Sequence, residues 1–154
     1  MAKLFLPRAR SCSGGGVMFL WFFLRQPDGR KLEDAAKAND SALVNQLLKQ
    51  GAELEWWNPG GGWTALYIAC YNGSYEAAEA LCAHGAELDA RNDDQRTPLM
   101  HAAYNGHPKI CAMLLALGAD PSLKTTSGNT ALDLARQENK PECAALLQPV
   151  TPSS

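Results

Sequence analysis

A short phrase recurs along this chain at a fixed distance and restricts its fold more than any other feature. Three threonines, Thr64, Thr97 and Thr130, lie 33 residues apart, and each begins a triplet that ends in leucine. A glycine–alanine pair repeats with them, at positions 51–52, 85–86 and 118–119. A period of this length is typical of one supersecondary unit that is copied and stacked. We therefore expect a chain that offers a surface to a partner rather than a pocket to a substrate.

Each unit is predicted to contain two short helices. Thr97 is suited to cap the first helix of its unit through the side-chain hydroxyl, and Pro98 fits the first helical position. Gly106 should end that helix in a left-handed conformation. Pro108 should then begin a second helix, which Gly118 ends. The apolar residues recur at helical spacing, so one face of each helix is expected to be buried.

These motifs resemble those of ankyrin repeats. The resemblance is strongest in the phrase TPLMHAA that begins at Thr97, and in the Gly106-His107 pair after it. It implies an all-α fold, a solenoid of stacked helix-turn-helix units that β-turn fingers connect. It also implies a non-catalytic adaptor, which binds a protein partner through its fingers and the concave face of its inner helices. The implied ankyrin-repeat domain spans residues 28–148, with repeats near 28–58, 59–91, 92–124 and 125–148.

The sequence departs from the family pattern at a few positions. Tyr67, Met100 and Asp133 replace the usual histidine, so the resemblance does not predict the hydrogen bond that this histidine makes between repeats. Gln95 stands where a turn glycine is usual.

Aromatic residues are concentrated where a partner would bind. Trp56, Trp57 and Trp63 share the first finger, and Tyr71 and Tyr104 occupy equivalent places on neighbouring inner helices, where they should form a ladder. Such rings dominate interface hot spots, although Trp56 or Trp57 could instead pack under the lengthened finger. The candidate binding residues are Trp57, Trp63, Tyr71, Asn72, Asp93, Asp94, Arg96, Tyr104 and Asn105.

Charge and motif spacing argue against other classes of function. All 16 acidic side chains but only 10 of the 14 basic ones follow residue 27, so residues 28–154 carry a net charge of −6. A nucleic-acid surface needs clustered Lys and Arg instead. The glycine run 60–62 lacks the lysine of a phosphate-binding loop. We expect no enzyme, no cofactor, no metal and no small-molecule substrate, and no cleft in which titratable groups converge.

Five cysteines occur without a Cys-x-x-Cys pair, and four of them take positions where the repeat requires a small apolar residue. They are expected to be reduced core thiols, which favours a cytoplasmic or nuclear location.

The first 27 residues are basic and then apolar. The apolar run, residues 17–24, is shorter than the roughly 20 residues that cross a bilayer. Three interpretations stay open: an organelle-targeting segment, a lid on the first repeat, or an extension that is absent because translation starts at Met18. Membrane association is possible only through residues 17–24, and the alternative function is a membrane- or partner-anchored regulatory ankyrin protein. Residues 149–154 are expected to be disordered.

Overall fold

The structure, a computed structural model, describes residues 28–149. Within this range it contains eight α-helices and no β-strand, which confirms the predicted all-α fold. The helices are α1 (residues 28–37), α2 (Ser41–Lys49), α3 (Ala65–Asn72), α4 (Tyr75–Ala83), α5 (Pro98–Asn105), α6 (Pro108–Leu117), α7 (Ala131–Gln137) and α8 (Pro141–Leu147). The predictions for residues 1–27 and for the tail from residue 150 onward lie outside the described residues.

The helices pair in sequence and stack in two layers. Helices α3, α5 and α7 pack side by side in an inner layer, and α2, α4, α6 and α8 do so in an outer layer. Each inner helix from α3 onward also packs on the outer helix that follows it. The core is therefore one continuous slab between the layers, as expected for repeats that cannot bury their apolar faces alone.

Small and large residues recur at equivalent places in this core. Equivalent alanines of α1, α3, α5 and α7 are at most 1% exposed: Ala35, Ala69, Ala102 and Ala135. Equivalent leucines of the four outer helices are also buried: Leu47, Leu81, Leu114 and Leu147. Alanine lets neighbouring inner helices approach closely, while burial of each leucine contributes roughly 1.5–3 kcal/mol.

The recurring threonines are helix caps. The hydroxyl oxygens of Thr64, Thr97 and Thr130 accept hydrogen bonds from the backbone N–H three residues later, at 3.4, 3.3 and 3.3 Å. Asp133 completes the cap of α7, because its carboxylate accepts a hydrogen bond from the backbone N–H of Thr130 at 2.9 Å. Each such cap stabilises its helix by about 1 kcal/mol, which explains why the phrase recurs.

The four described cysteines carry no disulfide; Cys12 lies outside the described range. Cys70, Cys111 and Cys143 are buried and Cys82 is half-buried. Burial raises the pKa of Cys82 to about 11, so this thiol stays protonated near neutral pH. Within residues 28–149, no helix combines the length and the apolar character that a bilayer crossing requires.

The three fingers turn through one left-handed residue each. Gly62, Gln95 and Gly128 occupy these equivalent places, with φ values of 67°, 59° and 80°. A residue with a Cβ is strained in this region by roughly 1–2 kcal/mol, whereas glycine is not. Gln95 is therefore the one finger residue whose side chain conflicts with its backbone.

Replacing Gln95 with glycine should raise the free energy of unfolding by about 0.5–1 kcal/mol, because relief of the left-handed strain exceeds the entropy that glycine loses on folding. Urea unfolding followed by circular dichroism measures the change. The reciprocal Gly128→Gln variant is the matched control. No atom lies within 4 Å of a Cβ built at Gly128, so only backbone strain is added there. The free energy of unfolding should fall in Gly128→Gln by about as much as it rises in Gln95→Gly. If it changes in the same direction in both variants, backbone strain at Gln95 is not the cause.

Candidate binding groove

A groove of about 490 Å³ opens between the inner helices and the first two fingers. The expectation that the chain has no cleft with titratable groups is therefore wrong. The lengthened first finger and the second finger stand beside α3 and α5, and the space between them remains open. The lining residues are Gly61, Trp63, Tyr67, Tyr71, Asn92, Asp93, Asp94, Arg96, His101 and Tyr104.

Four rings form one side of the groove. The Trp63 ring centroid lies 5.0 Å from that of Tyr67, 5.5 Å from that of Tyr71 and 6.0 Å from that of His101. All three pairs are tilted rather than parallel, which suits the ring quadrupoles. Tyr67 is buried beneath the others, whereas Tyr71 is 41% exposed and faces a potential partner.

Glycines let the tryptophans of the first finger lie against its backbone. A Cβ added at Gly61 would come within 2.7 Å of Nε1 of Trp63, and one added at Gly62 within 2.7 Å of Nε1 of Trp57. The glycine run, whose sequence already argued against a phosphate-binding loop, is explained by these indole contacts.

A chain of hydrogen bonds ties the second finger to the inner helices. Oδ1 of Asn92 accepts the backbone N–H groups of Asp94, at 3.1 Å, and Arg96, at 2.8 Å. The amide nitrogen of Asn92 must then be the donor to the hydroxyl of Tyr67, 2.8 Å away. The Tyr67 hydroxyl also forms a hydrogen bond with Nε2 of His101. Because this hydroxyl already accepts from Asn92, we assign it as the donor to Nε2, and this assignment puts the imidazole proton on Nδ1.

Nδ1 of His101 is a buried donor without a partner among the described residues. Burial, reinforced by the positive charge of Arg96, lowers the pKa of His101 to about 4. The ring is thus neutral at physiological pH. Burial also raises the pKa of Tyr67, so its hydroxyl stays protonated. The groove therefore presents neutral hydrogen-bonding groups beside its rings.

The preceding repeat has a related connection. Glu33 in α1 takes the place that Tyr67 takes in α3, and Asn58 takes that of Asn92. The amide of Asn58 donates to Oε2 of Glu33 at 3.3 Å. Burial is the main reason why the pKa of Glu33 is raised. Each of the first two fingers is thus anchored by an asparagine to the inner helix before it.

Charged side chains form the rim of the groove. Asp93 and Asp94 are exposed and make no ion pair with another residue of the range 28–149. The Arg96 guanidinium instead lies over the Tyr104 ring, 5.5 Å from its centroid. The rim thus carries two carboxylates and one cation that already has an aromatic partner.

The structure brings six of the nine predicted binding residues together in this groove. Tyr71 contacts Trp63 and His101, and Tyr104 contacts Arg96. Both tyrosines line the groove, and the ladder between their rings stays a prediction. The six are Trp63, Tyr71, Asp93, Asp94, Arg96 and Tyr104.

The other three candidates lie outside the lining. Trp57 is 53% exposed and covers Gly62. The side-chain amides of Asn72 and Asn105 each donate to a carbonyl of their own helix, at 2.9 Å.

Trp56 does not share the position of its neighbour Trp57. Its ring packs against Gly29 of α1, where an added Cβ would come within 2.3 Å of the indole. Trp56 therefore packs against α1, whereas Trp57 lies against Gly62 of its own finger.

The sequence analysis missed Tyr67, Asn92 and His101, which hold the groove together. Tyr67 stands at the histidine position of the repeat phrase, and His101 stands one residue after that position in the next phrase. The 34-residue spacing of Asn58 and Asn92 in successive fingers was the available signal. Among residues 28–149, no group of three or more side chains could hold a metal ion.

The family model for ankyrin repeats matches residues 32–125 with three copies. The matched range ends before α7, so the model counts one copy fewer than the four repeats that the sequence predicted. In the structure, α7 and α8 form a further helix pair that packs on the matched part.

Curated relatives match part of the chain. The chain is 37% identical over 67 residues to protein phosphatase 1 regulatory subunit 27 of Homo sapiens. The aligned stretch covers 44% of this chain and 43% of that protein. It is 36% identical over 75 residues to the 2-5A-dependent ribonuclease of Homo sapiens, covering 49% of this chain and 10% of the ribonuclease. It is 35% identical over 64 residues to a potassium channel of Oryza sativa subsp. japonica, covering 42% of this chain and 7% of the channel. The chain spans less than half the length of each relative.

Replacing Tyr67 with phenylalanine should lower the free energy of unfolding by about 1–3 kcal/mol, because Asn92 and Nε2 of His101 would both lose their buried partner. Urea unfolding measures the loss. Tyr75→Phe is the matched control, since the half-buried Tyr75 hydroxyl has no hydrogen bond within the described residues. It should change stability by less than about 0.5 kcal/mol. Equal stabilities of Tyr67→Phe and the unmodified chain would contradict the hydrogen-bond chain.

The buried His101 should make stability depend on pH. The unfolded chain takes up a proton near pH 6.5, whereas the folded chain does so only near pH 4. The contribution of the neutral His101 to the free energy of unfolding is therefore complete above pH 6.5. It is lost as the pH falls towards 4, by up to about 3 kcal/mol. Unfolding curves from pH 7 to 4 should show that the unmodified chain loses stability. The His101→Gln variant should lack this loss. In an NMR titration of the unmodified chain, a His101 midpoint near its ordinary value would contradict this account.

Proposed function

The chain belongs to the ankyrin-repeat family, whose repeats are protein-interaction modules, and from this premise we propose that it is a non-catalytic adaptor that binds a partner protein in the groove. One observation carries the proposal. Rings from a finger and from two inner helices, which are far apart in sequence, line one open groove together with two carboxylates that make no ion pair among residues 28–149.

The binding energy would come from burial of aromatic surface. Trp63 and Tyr71 present flat faces to the groove, and such residues contribute most at interface hot spots. Their support is pre-organised, since Trp63 rests on Tyr67 and His101 and the second finger is tied to α3 through Asn92. A partner would thus pay little entropy for ordering this surface.

The chemistry of the groove favours recognition over catalysis. With its pKa lowered to about 4, His101 is a weak proton acceptor, and the raised pKa of Tyr67 keeps its hydroxyl a poor nucleophile near pH 7. A relative named as a regulatory subunit is a precedent for binding without catalysis.

The remaining candidate residues are proposed as flanking contacts. Trp57 stands next to the groove on the first finger and would extend a bound interface along it. Asn72 and Asn105 stay predictions at the ends of α3 and α5. Their amide groups would have to leave a carbonyl of their own helix to reach a partner.

Replacing Tyr71 with alanine should abolish capture of the partner while lowering the free energy of unfolding by less than about 1 kcal/mol, because its exposed ring adds little to the core. Proteins captured from cells by the full chain are identified by mass spectrometry, and each is compared between the unmodified chain and the variant. Leu117→Ala is the matched control. Leu117 is 52% exposed on the outer helix α6, so it removes a similar apolar surface from the opposite layer.

The proposal expects a set of proteins that Leu117→Ala retains and Tyr71→Ala loses. If every captured protein depends on Leu117 and none on Tyr71, the outer layer is the binding face. Equal capture by both variants would also contradict the proposal.

A further inference from the structure

We infer that the groove receives an arginine side chain from a basic segment of the partner protein. This inference rests on the proposed function and names the chemistry of the ligand. The guanidinium would stack on the exposed faces of Trp63 and Tyr71, and Asp93 and Asp94 would balance its charge.

The charges at the rim favour a cationic ligand. Asp93 and Asp94 have no ion pair within the described part of the chain, and both are exposed. Arg96, the only cation among the described lining residues, is held over the Tyr104 ring. The groove therefore keeps a negative balance of one charge. The same sign prevails over residues 28–154, whose net charge of −6 would attract a basic segment over a longer range.

The rings favour a guanidinium over an ammonium. A guanidinium is planar and weakly hydrated, so it stacks on aromatic faces while its edge donates to carboxylates. The groove already uses this contact internally, where the guanidinium of Arg96 lies 5.5 Å from the centroid of Tyr104. Tyr71 is 41% exposed and offers a second ring face of the same kind.

His101 supports the rings from beneath and does not contact the ligand. It is only 5% exposed, and its Nδ1 is buried without a hydrogen-bond partner among residues 28–149. The arginine is expected within a peptide because the proposed partner is a protein.

The test uses the full chain and two synthetic peptides. One is acetyl-(Gly-Arg)₄-amide, and the other replaces each arginine with citrulline, which has nearly the same shape without the charge. Titration is followed by NMR at the Trp63 indole N–H and the Tyr71 ring. The arginine peptide should bind about tenfold more tightly than the citrulline peptide and shift both signals.

Charge variants locate the cation. Asp93→Asn combined with Asp94→Asn should weaken binding of the arginine peptide about tenfold. Glu79→Gln combined with Glu142→Gln is the matched control, since it removes the same charge from exposed positions on the outer helices α4 and α8. That variant should bind the peptide within about twofold of the unmodified chain.

Three outcomes would overturn the inference. Equal binding of the two peptides at Trp63 would mean a groove without selectivity for a cation, and the proposed function would still stand. Binding of the arginine peptide without a change at Trp63 or Tyr71 would place its site elsewhere. If replacing Lys3, Arg8 and Arg10 with glutamine tightens peptide binding about tenfold, the chain's own basic segment is the occupant rather than a partner. The proposed function fails separately, if the Tyr71→Ala variant captures the same proteins as the unmodified chain.

Discussion

The inner helices α3, α5 and α7 pack side by side, and the rest of the structure depends on that packing. Ala35, Ala69, Ala102 and Ala135 are almost completely buried. A larger side chain at these places would hold neighbouring inner helices apart, and the outer leucines would no longer share one core. Because the stack is local and repetitive, each helix pair depends mainly on its neighbours. The close stacking also sets α3 and α5 side by side, so residues 33 apart in sequence can line one surface.

Polar contacts between repeats then decide where the fingers lie. Asn92 joins its own finger to Tyr67 in the helix before it, and Tyr67 joins His101 in the helix after it. His107 adds a similar contact, through Nε2 to the carbonyl of Tyr71 at 3.2 Å. Buried hydrogen bonds of this kind add little net stability, but leaving one partner unpaired is costly. They therefore select one arrangement of fingers and helices, and the groove follows from that arrangement.

The local features of the chain could be predicted because each depends on a few neighbouring residues. Thr97 caps α5 through an N–H only three residues away, and Gly106 ends the same helix in a left-handed conformation. The groove was predicted only as a list of candidate binding residues, and the prediction that no cleft holds titratable groups was wrong. Tyr67 shows why. Its place in the repeat phrase indicates a buried position, but its partners lie 25 and 34 residues further along the chain.

The sequence by itself determined the period, the helix ends, the choice of buried face and the excess of negative charge, since these depend on composition and on contacts within one repeat. The tertiary structure decided which finger side chains meet which helix side chains. It raised the second finger beside two inner helices. Among residues 28–149 it also left the Asp93 and Asp94 carboxylates without an ion pair and a buried imidazole nitrogen without a hydrogen-bond partner. These properties arise from angles and distances between neighbouring repeats, and small changes in stacking alter them without any change in the repeated motifs.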